Sequence, residues 1–552
     1  MKIAIAQHNY HVGNITVNTQ KIIESIEKAK SQSADIVIFS ELAICGYPPQ
    51  DLLEQKGFIE LSQKAINNIL IHTQGITAIV GAPSINNAEE GKRLYNSAYI
   101  LQNEQIKKIV HKSLLPTYDI FDEYRYFEPN DIPETVEING HPIAVTICED
   151  IWDEQPVDQP FAQSRLYKKA PMKKLIANQP ELIINIAASP FSYNQEEKRK
   201  DILRRNAYEY QLPLIYVNQI GSNTDIIFDG ASKVVNDNGE IVAQLKRFEE
   251  DFQIFSLQKI NKIKPIKAYE GDSRIKQIHD ALVLGIRDYF QKSGFKKAVL
   301  GLSGGIDSAL VAALAAKALG GENVHGLLMP SKFSSDHSVK DAEQLAIKLG
   351  MTYNIVPIKD IYSSINEAMK PVFPTDNQFD VTEENMQARS RGLLLMAYSN
   401  KYGNMLLNTS NKSEAAVGYS TLYGDTNGGL SPIGDVYKTD VYKLCEYINT
   451  TEEIIPWNTI NKPPSAELRP DQQDSDSLPE YNVLDKILFE FIERKQSVDD
   501  IITQGFKSED VKKVTRLVNT SEYKRFQFPP ILRVSSKAFG LGRRYPIVAK
   551  FE

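Results

Sequence analysis

Along residues 1–260, short apolar runs alternate with stretches in which apolar positions recur every three or four residues. KIAIAQ, ADIVIFSEL, ITAIVGAPSI, SAYILQ, QIKKIVHK, PIAVTICED, PELIINIAA and PLIYVNQIG read as strands, and VNTQKIIESIEKAKSQ and LEQKGFIELSQKAINNILIHT as amphipathic helices. Interleaved strands and helices predict a layered α/β domain, because each apolar sheet face must be covered by a helix or a second sheet. In ASKVVNDNGEIVAQL, the Asn-Asp-Asn-Gly segment tolerates positive φ and predicts a hairpin. The periodicity fades where Lys, Pro and Gly gather, which puts a linker at residues 261–272 between domains spanning 1–260 and 273–552. Beyond it come a helix, RIKQIHDALVLGIRDYFQKSG, a strand, KKAVLGLS, and a second helix, ALVAALAAKALGG. Strand, glycine turn and helix open a parallel, Rossmann-like nucleotide-binding sheet. The stretch NKPPSAELRPDQQDSDSLPEY is rich in Pro, Ser and Asp and predicts a surface loop.

Length supports the division, since 552 residues exceed what one core organises. Sixty-three Lys plus Arg against 70 Asp plus Glu leave a net charge of -7, which argues against nucleic acid as the partner and favours a small ligand. Cys45, Cys148 and Cys445 stand too far apart for a CxxC pair, so a reducing compartment is expected. The first residues read directly as a strand and no apolar run is long enough to span a bilayer, so the expected location is the cytoplasm, without membrane attachment.

Glu41, Lys112 and Cys148 each follow a predicted strand. Strand ends of one sheet can converge, and a cysteine nucleophile needs a base and a nearby positive charge. Glu41 would take the thiol proton; Lys112 would favour the thiolate and the oxyanion. Without further context Cys148 reads first as a small buried hydrophobe, as most free cysteines are, which is also the reading of Cys45. The context is FSELAICGYPPQDLL, HKSLLPTYDIFDEYRYF and ICEDIWD, and these segments, in this order, resemble the glutamine amidase domains of the nitrilase family. That resemblance implies an α-β-β-α sandwich with a Glu-Lys-Cys triad, and glutamine held by Tyr118 and Ser189. The family's further lysine falls at Gln195 here, with Lys198 and Arg199 close behind. Glu123 reads either as a second carboxylate orienting Lys112 or as a helix-surface charge.

In the second half, Gly301, Leu302, Ser303, Gly304, Gly305, Ile306, Asp307 and Ser308 form GLSGGIDS between strand and helix. Glycines admit phosphate oxygens to backbone N–H groups and the helix N-terminus favours their charge. No Lys precedes the last Ser, so the loop is not the GxxxxGK[ST] type. SGGxDS resembles the signature of enzymes that split ATP into AMP and pyrophosphate by adenylating a substrate. Asp307 would ligate Mg²⁺, with Glu414 as second carboxylate, although Glu414 also reads as a helix-start charge.

TEENMQARSRGLLLMAYSN, LLNTSNKSEAAVGYSTLYGD, SPIGDVYKTDVY, KPPSAEL and SEYKRFQFPP resemble the NAD synthetase family in its glutamine-dependent form. The resemblance covers nearly the whole chain. It implies amidation of deamido-NAD with ammonia drawn from glutamine, ATP as co-substrate, and a homo-oligomer, dimer or octamer. It places Thr409 and Lys438 on ATP, and Asn385, Arg389, Arg391, Glu414 and Lys524 on deamido-NAD. Residue by residue, the charged members also read as solvated charges, and Asn385 and Thr409 as caps. Two other readings stand beside it: the same two sites serving another acceptor, either a different small carboxylate or a tRNA to be thiolated, the latter disfavoured by the acidic net charge and the lack of CxxC pairs; and a first half that is a non-catalytic interaction module, which the presence of Glu41, Lys112 and Cys148 in order argues against.

Overall fold

The computed structural model describes residues 1–153, 165–266, 273–373, 379–465, 467–470 and 472–550. It divides into two compact units, Met1–Gly271 and Asp272–Glu552. Of the linker predicted at 261–272, residues 267–272 lie outside the described residues.

The first unit runs β1 (Lys2–Gln7), α1 (Ile15–Ser31), β2 (Ile36–Ile38), α2 (Lys56–Leu70), β3 (Thr77–Ile85), β4 (Leu94–Gln102), β5 (Gln105–His111), β6 (Val136–Ile138), β7 (His141–Ile147), α3 (Pro171–Ile176), β8 (Leu182–Ala187), α4 (Gln195–Tyr210), β9 (Leu214–Asn218), β10 (Ile220–Asn223), β11 (Ile226–Asp229), β12 (Lys233–Val235), β13 (Ile241–Gln244), β14 (Asp251–Ser256) and α5 (Leu257–Ile260). Two six-stranded sheets result, ordered β14-β1-β2-β3-β4-β5 and β13-β12-β9-β8-β7-β6. The period-2 alternation of β1 decides how they are covered. Ile3 and Ile5 join Ile143, Val145, Ile184 and Val217 in the core shared by the two sheets, whereas Ala4 and Ala6 pack with Ile22 and Ile26 of α1 and Ile66 and Ile69 of α2. Leu203 and Ala207 of α4 and Met172 of α3 join the core on the second sheet. The unit is an α-β-β-α sandwich. The Asn-Asp-Asn-Gly turn joins β12 to β13 antiparallel, with Gly239 at φ +74°.

In the second unit α6 (Arg274–Ser293) leads into β15 (Ala298–Gly301), α7 (Ile306–Leu319), β16 (Val324–Leu328), α8 (Asp336–Lys348), β17 (Thr352–Ile355), α9 (Lys359–Met369), α10 (Val381–Tyr402), β18 (Met405–Leu406), α11 (Lys412–Val417) and α12 (Lys438–Ile448). The four strands are ordered β17-β16-β15-β18 and all pairs are parallel. The order reverses between β15 and β18, and ligands of open parallel sheets bind in the crevice at the carboxyl ends of such a switch point. Ser308 to Ala316 of α7 are all buried, as expected of a helix apolar around its circumference. Near the C-terminus, α13 (Trp457–Asn461) packs on α7, α8 and α12, while α14 (Tyr481–Leu488), α15 (Val498–Thr503) and α16 (Ser508–Thr520), followed by α17 (Glu522–Arg525), build a second core around Leu484, Ile487, Val511 and Val514. The stretch predicted as a surface loop is only partly one, because Gln472, Asp474 and Leu478 are buried. Among the described residues no helix is long and apolar enough to cross a membrane.

Candidate active sites

Cys148 follows β7 directly and adopts φ +45°, a conformation costing a non-glycine residue about 1–3 kcal/mol, which turns its side chain out of the strand's alternation. Leu42, just after Glu41, is similarly strained at φ +48°. The backbone at 40–42 lies against β3 at Gly81, where a Cβ would fall 2.3 Å from the Ser40 carbonyl oxygen, so only glycine admits that approach.

Lys112 and Glu41 are wholly buried and Glu123 is 5% exposed. The Lys112 ammonium donates to Glu41 Oε1 at 2.7 Å and to both oxygens of Glu123 at 2.8 Å. Asn96 donates to Glu41 Oε1 (2.7 Å) and Glu123 Oε2 (3.3 Å), Tyr47 to Glu123 Oε1 (2.8 Å), and the Ala188 N–H to Glu41 Oε2 (3.0 Å). Burial raises the Glu123 carboxyl to about 7 against the pull of Lys112. Lys112 is held well above the usual lysine range, the two carboxylates overcoming the cost of burial. The Cys148 thiol is pushed well up by burial and by the Glu41 charge, with Lys112 opposing. A thiol so placed needs a proton acceptor within reach before it can attack.

Asp150 fastens the two halves of this site. Its Oδ1 accepts the backbone N–H groups of Ser113 and Leu114, both at 2.9 Å, and its Oδ2 that of Ile147 at 3.1 Å. The segment after Lys112 is thereby tied to the residue before Cys148. Burial raises the Asp150 carboxyl from 3.8 to about 7 despite those donors. A raised pKa contributes stability that is complete below about pH 4 and lost as pH rises through about 7, at up to about 1.4 kcal/mol per pH unit. Asp150→Asn is therefore expected to flatten the fall in unfolding free energy between pH 4 and 7. Trp152 fluorescence during urea unfolding, in a Trp457→Phe background, checks it; an unchanged slope would contradict the assignment.

Tyr118 is half-buried and donates to Glu149 Oε1 at 2.7 Å, as Tyr167 does at 2.9 Å. Ser189 is buried with its N–H on Asn218 Oδ1 at 2.8 Å. Gln195 opens α4 and is half-buried, Lys198 is exposed, and Arg199 is buried and committed to Asp229 at 2.7 Å.

In the second unit the loop between β15 and α7 is rigid by construction. Gly304 has φ +74°, and a Cβ there would lie 2.2 Å from the Ser338 carbonyl oxygen. Ser308 Oγ donates to the Gly305 carbonyl at 2.9 Å and meets Ser303 Oγ at 3.1 Å, while the Gly305 N–H donates to Ser303 Oγ at 3.2 Å. No side chain caps α7, whose first-turn N–H groups remain available to an anion. A cavity of about 490 Å³ opens at the strand ends, lined among others by Gly301, Leu302, Ser303, Asn385, Arg391, Thr409, Asp425 and Lys524. Burial lowers Arg391 to about 10, and also lowers Lys524, with acidic neighbours including Asp425 opposing both. Arg391 Nε donates to the Met329 carbonyl at 3.1 Å. Lys524 reaches the carbonyls of Gly418 (2.7 Å) and Ser420 (2.6 Å), and Asn385 Oδ1 accepts from Thr421 at 2.8 Å.

Beside the loop, the Lys438 ammonium pairs with Asp307 and lies 3.6 Å from Glu414. Asn411 donates to Asp307 Oδ1 at 3.0 Å and forms a capping box with Glu414 at the start of α11. Burial and the Asp307 charge raise Glu414 to about 8 against the pull of Lys438. Among the described residues no three His, Cys, Asp or Glu side chains are grouped to hold a metal without further ligands.

Residues 2–263 match the carbon-nitrogen hydrolase family and residues 278–528 the NAD synthase family. The glutamine-dependent NAD(+) synthetase of Synechocystis sp. is 45% identical over 100% of this chain and 99% of its own, and that of Acinetobacter baylyi 43% identical over 99% and 98%. The chain belongs to the glutamine-dependent NAD(+) synthetase family. A structure of the Acinetobacter baumannii glutamine-dependent NAD+ synthetase in complex with ADP superposes with TM-score 0.77 and 40% identity, covering 99% of this chain and 98% of that one.

For this member of the glutamine-dependent NAD(+) synthetase family, the structure brings Glu41, Lys112 and Cys148 together and resolves Glu123 as a buried partner of Lys112, not a surface charge. Arg389 is exposed, holds the Leu422 carbonyl at 3.2 Å and does not line the cavity. Sequence reasoning missed Tyr47, Asn96, Glu149, Asp150, Asn411 and Asp425. Two carried a legible signal: Asp150 sits two residues after the candidate nucleophile, and Asn411 stands at capping-box spacing from Glu414. Tyr47 and Asn96 become visible only when strands are brought together.

Proposed function

We propose that the chain makes NAD by ATP-dependent amidation of deamido-NAD, with ammonia released from glutamine, yielding AMP, diphosphate and glutamate. The observation that carries this reading is the coexistence of two buried constellations in a chain matched end to end by glutamine-dependent NAD(+) synthetases.

In the first site Glu41 removes the Cys148 proton as sulfur attacks the glutamine side-chain carbonyl, and Lys112 offsets the charge developing on oxygen. The proton returns to the departing nitrogen, leaving a thioester. Water, deprotonated by Glu41, then cleaves it to glutamate and free thiol. Tyr118 and Ser189 hold the substrate, with Gln195 at the mouth of α4 as the further contact in preference to exposed Lys198. Tyr118 acts through its bond to Glu149.

At the second site the nicotinate carboxylate of deamido-NAD attacks the α-phosphorus of ATP and diphosphate leaves. Ammonia attacks the resulting acyl adenylate, AMP departs and a proton is lost. The loop 301–308 cradles the phosphates, with Thr409 and Lys438 on ATP. Asn385, Arg391, Glu414 and Lys524 receive deamido-NAD, Arg389 reaching it only from the exposed rim. The ADP complex of the Acinetobacter baumannii relative supports adenine-nucleotide binding by this fold. Asp307 and Glu414 fit Mg²⁺, because two carboxylates share one ammonium, and burial together with the Asp307 charge raises Glu414 to about 8. Bound there with phosphate oxygens, the ion would neutralise charge on the departing diphosphate. A cytoplasmic homo-oligomer completes the reading, supported by free, buried cysteines and the family resemblance.

Deamido-NAD labelled with ¹⁸O in its carboxylate tests adenylation. One label is expected in AMP for each NAD formed; label in diphosphate would place the attack on another phosphorus and overturn the mechanism.

A further inference from the structure

The segment from the end of β18 into the first turn of α11 carries Thr409, Asn411 and Glu414, and its position is set from outside the nucleotide sheet. Lys412, wholly buried between Asn411 and Glu414, contacts Asp435 Oδ1 at 2.9 Å, Glu493 Oε1 at 3.0 Å, Ser535 Oγ at 2.7 Å and the Lys537 carbonyl at 3.0 Å, with its ammonium 4.6 Å from the Tyr437 ring centre. Asp435 in turn accepts the N–H groups of Val534 (2.8 Å) and Ser535 (2.7 Å) and the Ser535 hydroxyl (2.7 Å). Glu493 Oε2 accepts from Ser536 Oγ at 2.6 Å. A second attachment lies at the other end of the loop, where Ser431 donates its hydroxyl to Asn408 Oδ1 (3.1 Å) and its N–H to the Pro530 carbonyl (2.8 Å).

Every one of these groups lies far from residues 408–414 in sequence, yet they converge on that short loop. A buried lysine between two buried carboxylates is a poor way to gain stability, since apolar replacements of equal volume often do as well or better, but it fixes geometry closely. We propose that residues 530–537 are a brace of the synthetase site, with Lys412 and Ser535 as positioning residues that set where Asn411 and Glu414 stand relative to Asp307. The proposal rests on the reading of Asp307 and Glu414 as groups of the ATP reaction.

The test uses the full chain with ammonium as nitrogen source and follows NAD formation against ATP–Mg²⁺ concentration for wild type, Ser535→Ala, Ser535→Thr and Lys412→Arg. Ser535→Ala is expected to lower kcat/KM for ATP about tenfold through misplacement, more than any fall in the folded fraction read from its unfolding midpoint, with glutamate release from glutamine unchanged. Ser535→Thr, which keeps the hydroxyl, is expected to recover most of the loss. Unchanged kcat/KM in Ser535→Ala, or a loss no larger than the fraction of unfolded protein, overturns the brace. Should Lys412→Arg not fold, the Ser535 pair decides alone. A wild type that makes no NAD from ammonium removes the underlying reading, and the brace with it.

Discussion

Lys112→Met is expected to lower glutamine hydrolysis by about 10³-fold or more and to destabilise the first unit by about 3–5 kcal/mol. Both effects come from one contact set. The ammonium is the sole cation bonded to Glu41 and Glu123 among the described contacts, and all three side chains are shut away from water. Removing it leaves two carboxylates facing each other without a counter-charge, one of which, Glu123, already sits at about 7. The pair would protonate in part, so Glu41 would lose the basicity that the thiol requires. Lys112→Arg should not restore activity, because a planar guanidinium cannot occupy a pocket shaped for one nitrogen within 2.8 Å of both acids. Glutamate release and calorimetric unfolding measure the two effects. A stable variant with ordinary glutaminase activity would show that the buried triad is merely structural.

Cys148→Ala is expected to abolish NAD formation from glutamine, by about 10⁴-fold or more, and to leave NAD formation from ammonium intact. The substitution deletes the candidate nucleophile of the first site while removing few buried atoms and easing none of the ion pairs behind it. It also tests whether the positive φ at position 148 serves the thiol: alanine in that strained turn keeps the strain and loses the chemistry. Initial rates with each nitrogen source decide the matter. Persistent glutamine-driven synthesis would return the first unit to the non-catalytic module that the sequence left open, and loss with both sources would mean that the variant disturbs more than the nucleophile.

Much of this was legible before any coordinates, for physical reasons that differ by residue. The unbroken apolar run within KIAIAQ fits a strand covered on both faces, and β1 is such a strand. The glycine loop reads directly, since Gly304 must accept both positive φ and the Ser338 carbonyl at its back. Strand-end placement made Glu41, Lys112 and Cys148 candidates, and the segments around them, through their resemblance to the glutamine amidases, singled the three out. What it could not supply is what surrounds them: Asn96 and Tyr47 reach Glu41 and Glu123 only after non-adjacent strands pair, and no local pattern distinguishes such an asparagine from a surface one. Glu123 illustrates the same limit, because charge and position on a short turn fit a solvated acid and a buried partner equally well. In the second half, the Pro- and Ser-rich composition around residues 463–480 hid the buried Asp474, whose role as acceptor of the Tyr481 hydroxyl (2.9 Å) depends on a helix that follows it. The Arg389 and Arg391 expectation takes in two faces of α10: Arg391 lines the cavity, whereas Arg389 is exposed.

The central claim is that one chain releases nitrogen from glutamine and installs it in NAD. Its most direct measurement is isotopic: wild-type protein is given deamido-NAD, ATP–Mg²⁺ and glutamine labelled with ¹⁵N in the side-chain amide, and the NAD product is examined by mass spectrometry. The account predicts ¹⁵N in the carboxamide of every NAD formed, and none when Cys148→Ala is run on the same glutamine with unlabelled ammonium added. NAD that forms without the label in the wild type, or labelled NAD from the variant, would contradict it.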